Sequence, residues 1–260
     1  MGNVDLGITG QDVAAESGEE ISSKIEEVLE LGFGKCKLQV QVPDPALAPS
    51  ASAASKVPQK SLEDLVGQRI ATSFDHLAAV YFDKLDKEVN ERLAVEGKRS
   101  PNDPSLKTHI DYVGGSVEAA CALGIADGIV DLVESGETMR ACGLTAIATL
   151  MESQAVLIKS AQPHARSDTR LINLITNRIR GKIAAQRYVL CTYNVIKENL
   201  EQALKITPGR RAATVMPLED EEWNAVSAMI IRSESATLMD QLEAAGATDI
   251  LITTISNSRN

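Results

Sequence analysis

Apolar and polar positions change over along this chain in short blocks, and turns containing glycine separate many of the blocks. Asn3-Val4-Asp5-Leu6-Gly7-Ile8-Thr9-Gly10 reads as a short buried strand entering a glycine turn, with a helix starting near Gln11. Residues 26–31 read as the end of a helix, and Lys35-Cys36-Lys37-Leu38-Gln39-Val40-Gln41-Val42 alternates as a strand does. Residues 43–60, rich in Pro, Ala and Ser, read as a flexible connection or surface insertion. Ser61 is a plausible N-cap for a short helix, 69–73 is a strand, and 77–89 carries helical periodicity. After a polar loop at 96–107, a strand at 110–113 runs into Gly114-Gly115-Ser116 and a small-residue helix at 117–126. A strand at 128–133, a helix start at Met139 and a strand at 155–158 follow. Strands alternating with helices in this way predict a mostly parallel sheet.

Beyond residue 168 the pattern changes. Leu171, Ile175, Ile179 and Ile183 recur every four residues and predict one long helix with an apolar stripe. Arg170, Arg178, Arg180 and Lys182 fall on its other faces, read as a solvated or subunit-facing surface. The remaining blocks are strand 188–195, helix 197–205, strands 212–218 and 223–231, helix 235–245 and strand 249–255. That β-α-β-β-α-β order is the ferredoxin-like arrangement, which closes its own sheet and therefore forms a separate domain. Units of this kind often sense small molecules, an argument from fold analogy alone.

Composition narrows the function. A chain of 260 residues has room for two domains at the usual size of about 100–200 residues each. The apolar share is 44% and the aromatic share only 3%, so the cores must be aliphatic. A formal net charge of −10 argues against wrapping nucleic acid, whose phosphates are bound through Lys and Arg clusters. It leaves phosphorylated small molecules open, because a few backbone N–H groups bind phosphate without net positive charge. Cys36, Cys121, Cys142 and Cys191 stand far apart without metal-finger spacing and read as reduced, buried thiols. His76, His109 and His164 share no spacing that suggests a metal or a triad, and Gly128 breaks any helical pairing of Asp127 with Asp131. No apolar run approaches the roughly 20 residues of a membrane span, and no signal peptide precedes the first strand. The expectation is a cytoplasmic protein.

The chemistry concentrates in Ile129-Val130-Asp131-Leu132-Val133-Glu134-Ser135-Gly136-Glu137-Thr138-Met139. An apolar strand ends in an acidic residue, and a Ser-Gly-x-Thr turn leads into a helix. Gly136 lets the backbone approach an oxyanion, the turn's N–H groups point at it, and Ser135 and Thr138 add hydroxyl donors. Asp131 can accept from sugar hydroxyls near that phosphate. Ligands of open α/β sheets bind at the carboxyl ends of strands, where this turn lies. The plain structural alternative is a capped helix with Thr138 as N-cap.

Upstream residues decide for the phosphate. From Glu118 the order is five residues, Gly124, the small Ala126, Ile129, Asp131-Leu132, and Ser135-Gly136-Glu137-Thr138-Met139. This window resembles the signature of ATP phosphoribosyltransferase at every specified position. Asp5 to Asp12, Phe33 to Leu38, Arg69 to Ser73, Ile206-Thr207-Pro208-Gly209, Met239-Asp240 and Gly246-Ala247 are similar to the long form of the family, with fungal wording. Family chains begin with a further strand, a basic turn, a helix and another strand, so an upstream segment is expected.

The resemblance implies a fold, a reaction and roles. The fold would be a two-lobed α/β catalytic domain, periplasmic-binding-protein-like (type IV phosphoribosyltransferase), plus the ferredoxin-like regulatory domain. Residues 1–42 with 155–183 would form lobe I, 43–154 lobe II with the phosphate turn, and 184–260 the histidine-sensing domain. The reaction is displacement of pyrophosphate from phosphoribosyl pyrophosphate (PRPP) by N1 of the ATP adenine, in histidine biosynthesis, with Mg²⁺ held mostly by substrate oxygens. Glu134, Ser135, Gly136, Glu137 and Thr138 would hold the 5-phosphate, Asp131 the ribose hydroxyls, and Glu118 would line the same pocket. Asp5 and Leu6 would sit near the ATP base. Without the resemblance, Glu118 reads as a first-turn helix acid and Asp5 as a cap of the glycine turn. Histidine would inhibit from a site at Asn194, Thr214 and Asp249, within a homo-oligomer between dimer and hexamer. Asn194 stands where the family is expected to carry an acidic residue. Competing expectations are a non-catalytic PRPP-binding or regulatory subunit and a periplasmic-type solute binder.

Overall fold

Strand β1 (Leu6–Gly10) passes directly into helix α1 (Gln11–Glu16), as the glycine turn predicts, and α2 (Gly18–Ser22) follows. In this computed structural model the described residues are 4–44, 61–98, 106–162 and 167–259. Most of the expected connection at 43–60, part of the loop at 96–107 and His164 lie outside them. Next in order come β2 (Ile25–Glu30), β3 (Cys36–Pro43), β4 (Arg69–Thr72), α3 (Asp75–Val95) and β5 (His109–Tyr112). The first part closes with α4 (Ala119–Ala122), β6 (Gly128–Val133), α5 (Glu137–Ala141), β7 (Leu144–Ser153) and β8 (Ala155–Ser160). The backbone N–H and hydroxyl of Ser61 both donate to the Asp64 carboxylate (3.1 and 2.7 Å), which fixes the short 3₁₀ turn Leu62–Leu65.

Two units are compact by themselves, Met1–Ser167 and Asp168–Asn260. The first holds a three-stranded sheet in the order β1-β8-β2, antiparallel throughout, and a five-stranded sheet in the order β5-β4-β6-β3-β7. In the larger sheet β4 runs parallel to β5 and β6, but β3 is antiparallel to both β6 and β7. The sheet is therefore mixed, not mostly parallel. β3, which lies almost wholly within the residues 1–42 expected in the first lobe, pairs within the larger sheet.

Alternation along the inner strands assigns the faces of the larger sheet. Leu38, Val40 and Val42 of β3, with Ile70 and Val130, pack against Ala78 and Phe82 of α3. Ala71 and Ile129 point the other way, into a second cluster with Val117, Ala120, Cys121 and Leu144. A sheet covered on both faces explains the near-continuous apolar wording of β6. Each fully buried Leu or Ile in it stabilises by roughly 1.5–3 kcal/mol.

The second unit comprises α6 (Thr169–Arg187), β9 (Tyr188–Ile196), α7 (Leu200–Ile206), β10 (Thr214–Pro217), β11 (Trp223–Ile231), α8 (Ser235–Ala244) and β12 (Thr248–Thr254). Its sheet order is β10-β11-β9-β12, all pairs antiparallel. β9 and β11 alternate strictly, burying Val189, Cys191, Tyr193 and Val195 with Val226, Ala228 and Ile230 beneath Leu200, Leu204 and Leu238. Helix α6 starts at an Asp168 cap that accepts from the N–H groups of Arg170 (2.9 Å) and Leu171 (3.3 Å). Its buried positions are Thr176, Gly181 and Ala185, whereas Leu171 and Ile175 of the expected apolar stripe are exposed. By its contacts the helix groups with the second unit, Asp168–Asn260.

Candidate functional site

β6 and β4 are tied together immediately before the phosphate turn. Thr72, fully buried, donates its hydroxyl to the Val130 carbonyl (2.7 Å) and accepts from the N–H of Phe74 (2.9 Å). The side-chain amide of Gln41 on β3 donates to the Asp131 carbonyl (3.3 Å). These bonds fix the carboxyl end of β6, and Asp131 projects from it. Leu132 N–H donates to one Asp131 oxygen, Oδ1, at 2.8 Å. Burial pushes the Asp131 carboxyl above the usual aspartate range and the nearby Glu118 charge adds to this, while the Leu132 N–H opposes it.

The turn continues through Glu134 and Ser135 to Gly136, which has φ 75° and is the N-cap of α5. Gly136 therefore takes the place that the structural alternative gave to Thr138, and the Thr138 hydroxyl lies within the first turn instead. Glu137 N–H reaches the Ser135 hydroxyl only at 3.4 Å. Helix geometry leaves the first-turn N–H groups of α5 without partners inside the helix. A cavity of about 320 Å³ opens in front of them, lined by Gln41, Glu118, Asp131 and residues 132–139. The fold thus gathers every residue expected at the PRPP turn, with Glu118, around one cavity.

A second cavity of about 330 Å³ adjoins it and shares Val133 and Glu134. Gln11 of α1, Lys35 just before β3, Cys36 and Lys37 on β3, Glu152 and Ser153 of β7, and Gln154 complete its wall. Lys37 pairs with Glu152 at 2.8 Å. Deeper in, buried Asp12 accepts from the Ser153 hydroxyl (2.5 Å), and Asp12 N–H donates back to that oxygen (3.0 Å). Burial, then the Asp12 charge, pushes the neighbouring Cys36 thiol up, so it is a poor nucleophile. Sequence reading missed Lys35 and Lys37 as cleft residues, because their alternation with Cys36 looked like ordinary strand surface. It also missed Arg140, four residues beyond Gly136, whose guanidinium donates to the Ser135 carbonyl at 3.2 Å.

Asp5 precedes β1 and Leu6 begins it, and neither is among the residues lining these two cavities. Leu6 pairs with Lys159, and the Asp5 carboxylate accepts from the Ser167 hydroxyl. In the second unit, Asn194 donates its amide to Asp249 Oδ2 at 3.0 Å. Asp249 sits at φ 51°, a costly backbone for a residue with a side chain. Thr214 is on β10, which β11 separates from β9, so it does not join this pair.

Sequence comparison decides the family. The profile described as ATP phosphoribosyltransferase matches residues 1–181, and that of its C-terminal domain matches 185–257. This chain belongs to the ATP phosphoribosyltransferase family. The Schizosaccharomyces pombe ATP phosphoribosyltransferase is 50% identical over 99% of this chain and 78% of its own length. The Yarrowia lipolytica member is 49% identical over 99% and 77%, and the Saccharomyces cerevisiae member 46% over 99% and 77%. A solved ATP phosphoribosyl transferase complex from Thermotoga maritima aligns with 66% of this chain and 65% of that one, at 18% identity and a TM-score of 0.44. The boundary between the two family matches, at 181–185, falls inside α6, whereas its contacts group the whole helix with the second unit. The enzyme class expected from the Glu118–Met139 window holds: the chain is a transferase of histidine biosynthesis. The readings as a non-catalytic subunit or a solute binder are not favoured. Among the described residues no helix is long and apolar enough to cross a membrane.

Proposed function

We propose that this chain condenses ATP with PRPP, forming a bond from adenine N1 to ribose C1 and releasing pyrophosphate, with the 5-phosphate in the turn at 134–138. The observation that carries the placement is the turn itself, where Gly136, the Ser135 and Thr138 hydroxyls, and Asp131 line one cavity at the end of β6. Leu132 N–H occupies Asp131 Oδ1 and leaves Oδ2 to accept from the ribose hydroxyls. A carboxylate in that position also favours the positive charge that builds on the ribose as pyrophosphate departs. Adenine N1 is already a nucleophile with a lone pair, so no strong general base is required. The side chains orient the donor. The adjoining cavity with Lys35 and Lys37 offers cations to the departing pyrophosphate or the ATP phosphates.

Among the described residues no group of three His, Cys, Asp or Glu could cage a metal. The donor set nevertheless suits Mg²⁺, which is held by one or two carboxylates plus substrate phosphates, here Asp131 and Glu118. The ion would neutralise charge on the leaving pyrophosphate. In this reading unit 1 is the two-lobed, periplasmic-binding-protein-like catalytic domain, with Asp5 and Leu6 near the base across the cleft. The antiparallel order β10-β11-β9-β12 supports a ferredoxin-like regulatory domain that binds histidine near Asn194 and Asp249 within a cytoplasmic homo-oligomer.

The test is release of pyrophosphate by the purified chain with Mg²⁺. Release that requires PRPP and ATP together is expected. PRPP binding without pyrophosphate release would overturn the enzymatic reading.

A further inference from the structure

The 135–136 peptide of the phosphate turn precedes a glycine, which has φ 75°. Gly136 accepts positive and negative φ with similar ease, so rotation of this peptide meets little steric resistance. Its two orientations have opposite consequences. With the carbonyl outward, the trans peptide sends the Gly136 N–H in the opposite direction. With the carbonyl inward, an oxygen would face the phosphate and repel it.

In the structure Arg140 engages the Ser135 carbonyl. Its guanidinium Nη2 donates to the Ser135 carbonyl at 3.2 Å. The same guanidinium lies across Gly136, since a Cβ built there would meet Nη1 at 2.7 Å. Gly136 is buried although Ser135 and Glu137 on either side are exposed. Arg140 does not line the 320 Å³ cavity, whereas Ser135 and Gly136 do. Arg140, which is outside the cavity wall, engages the carbonyl, and the trans peptide leaves the opposite Gly136 N–H for the cavity side. Arg140 also brings a cation to a turn flanked by the carboxylates of Glu134 and Glu137.

We infer that Arg140 is a positioning residue for the phosphate turn: by holding the Ser135 carbonyl it keeps the Gly136 N–H aimed at the 5-phosphate and blocks the flipped peptide. This rests on the placement of the 5-phosphate proposed above. The action is through the backbone and not through charge on the ligand, which separates two substitutions of similar length. Arg140→Met removes the donor. Arg140→Gln keeps an amide donor and removes the charge.

Titration calorimetry on the full chain with ribose 5-phosphate, PRPP and ATP tests it. Arg140→Met is expected to weaken ribose 5-phosphate and PRPP by the same factor, about tenfold, the scale of one charge-assisted bond. ATP affinity and melting temperature should stay near those of the unsubstituted chain. Arg140→Gln should stay within about threefold of that chain, as a neutral donor replaces a charged one. Unchanged ribose 5-phosphate affinity in Arg140→Met overturns the inference. So does a loss in Arg140→Gln as large as in Arg140→Met, because charge would then be acting. If the unsubstituted chain binds PRPP but not ribose 5-phosphate, the placement of the 5-phosphate itself fails and this inference with it.

Discussion

Glu16 caps helix α3 from the far side of the chain: its two carboxylate oxygens accept from the N–H groups of His76 (2.8 Å) and Leu77 (3.0 Å). The helix's own N-cap, Phe74, has no side chain that could do this. Glu16 closes α1, which follows the three-stranded sheet, whereas α3 packs on the larger one. Glu16→Ala should therefore cost about 1 kcal/mol, as loss of a helix cap does. Urea denaturation with an unchanged slope and a lower midpoint is the expected result.

Asp131 carries a sign that runs against stability. Its folded-state pKa is raised, by burial first, so the carboxyl favours the fold while protonated and loses that advantage as pH rises through the folded value. Once ionised, the carboxyl is a cost to the fold kept for binding. Asp131→Asn should melt at the same or a higher temperature at pH 7 while PRPP affinity falls. The stability difference should shrink as pH drops below the raised pKa. Thermal melting across pH, beside calorimetry, checks both halves.

Thr138→Val keeps the shape of the first turn of α5 and removes one hydroxyl. PRPP dissociation should rise about tenfold, from a lost charge-assisted bond of roughly 1.5–3 kcal/mol. Equal affinity in the variant would show that the hydroxyl does not meet the phosphate.

Gly136→Ala introduces a Cβ at φ 75° and 2.7 Å from the Arg140 guanidinium. The backbone conformation alone costs about 1–2 kcal/mol in a residue with a side chain. The variant should lose melting temperature and PRPP affinity together, unlike Thr138→Val, which should lose affinity alone.

In the second unit, the Tyr193 and Thr207 hydroxyls are buried and lie 2.8 Å apart. Thr207 keeps a further bond to the Ala203 carbonyl at 3.3 Å. Tyr193→Phe should destabilise by about 1 kcal/mol, because Thr207 is not left wholly unsatisfied. Chemical denaturation of the full chain, followed by the fluorescence of Trp223 on β11, is the measurement.

The phosphate turn was legible because its chemistry is local: strand, acid, Ser-Gly-x-Thr and helix occupy consecutive residues. The second unit was legible because β9 and β11 alternate without interruption. Two elements with shifted registers, β2 and β7, were not. Ile25, Val28 and Leu29 are spaced as on a helix, yet they form β2, whose pairing with β8 shifts between Glu27 and Leu29. β7 went unread because its pairing with β3 shifts twice, which spoils a period of two. The helix expected at 117–126 shrinks to one turn, ended by Gly124 at φ 69°. The direction of β3 follows from partners far along the chain, so no local pattern could have told a parallel strand from an antiparallel one. Arg140 was invisible as a functional residue for a similar reason, since its contact is with a backbone carbonyl and not with another motif residue.

The central claim is where the 5-phosphate sits, and a crystal structure of the chain with PRPP tests it most directly. The account predicts the 5-phosphate within hydrogen-bond distance of the Gly136 N–H and the Thr138 hydroxyl, with ribose hydroxyls on Asp131. A 5-phosphate seated at Lys35 and Lys37, with the turn at 134–138 left to solvent, would contradict it.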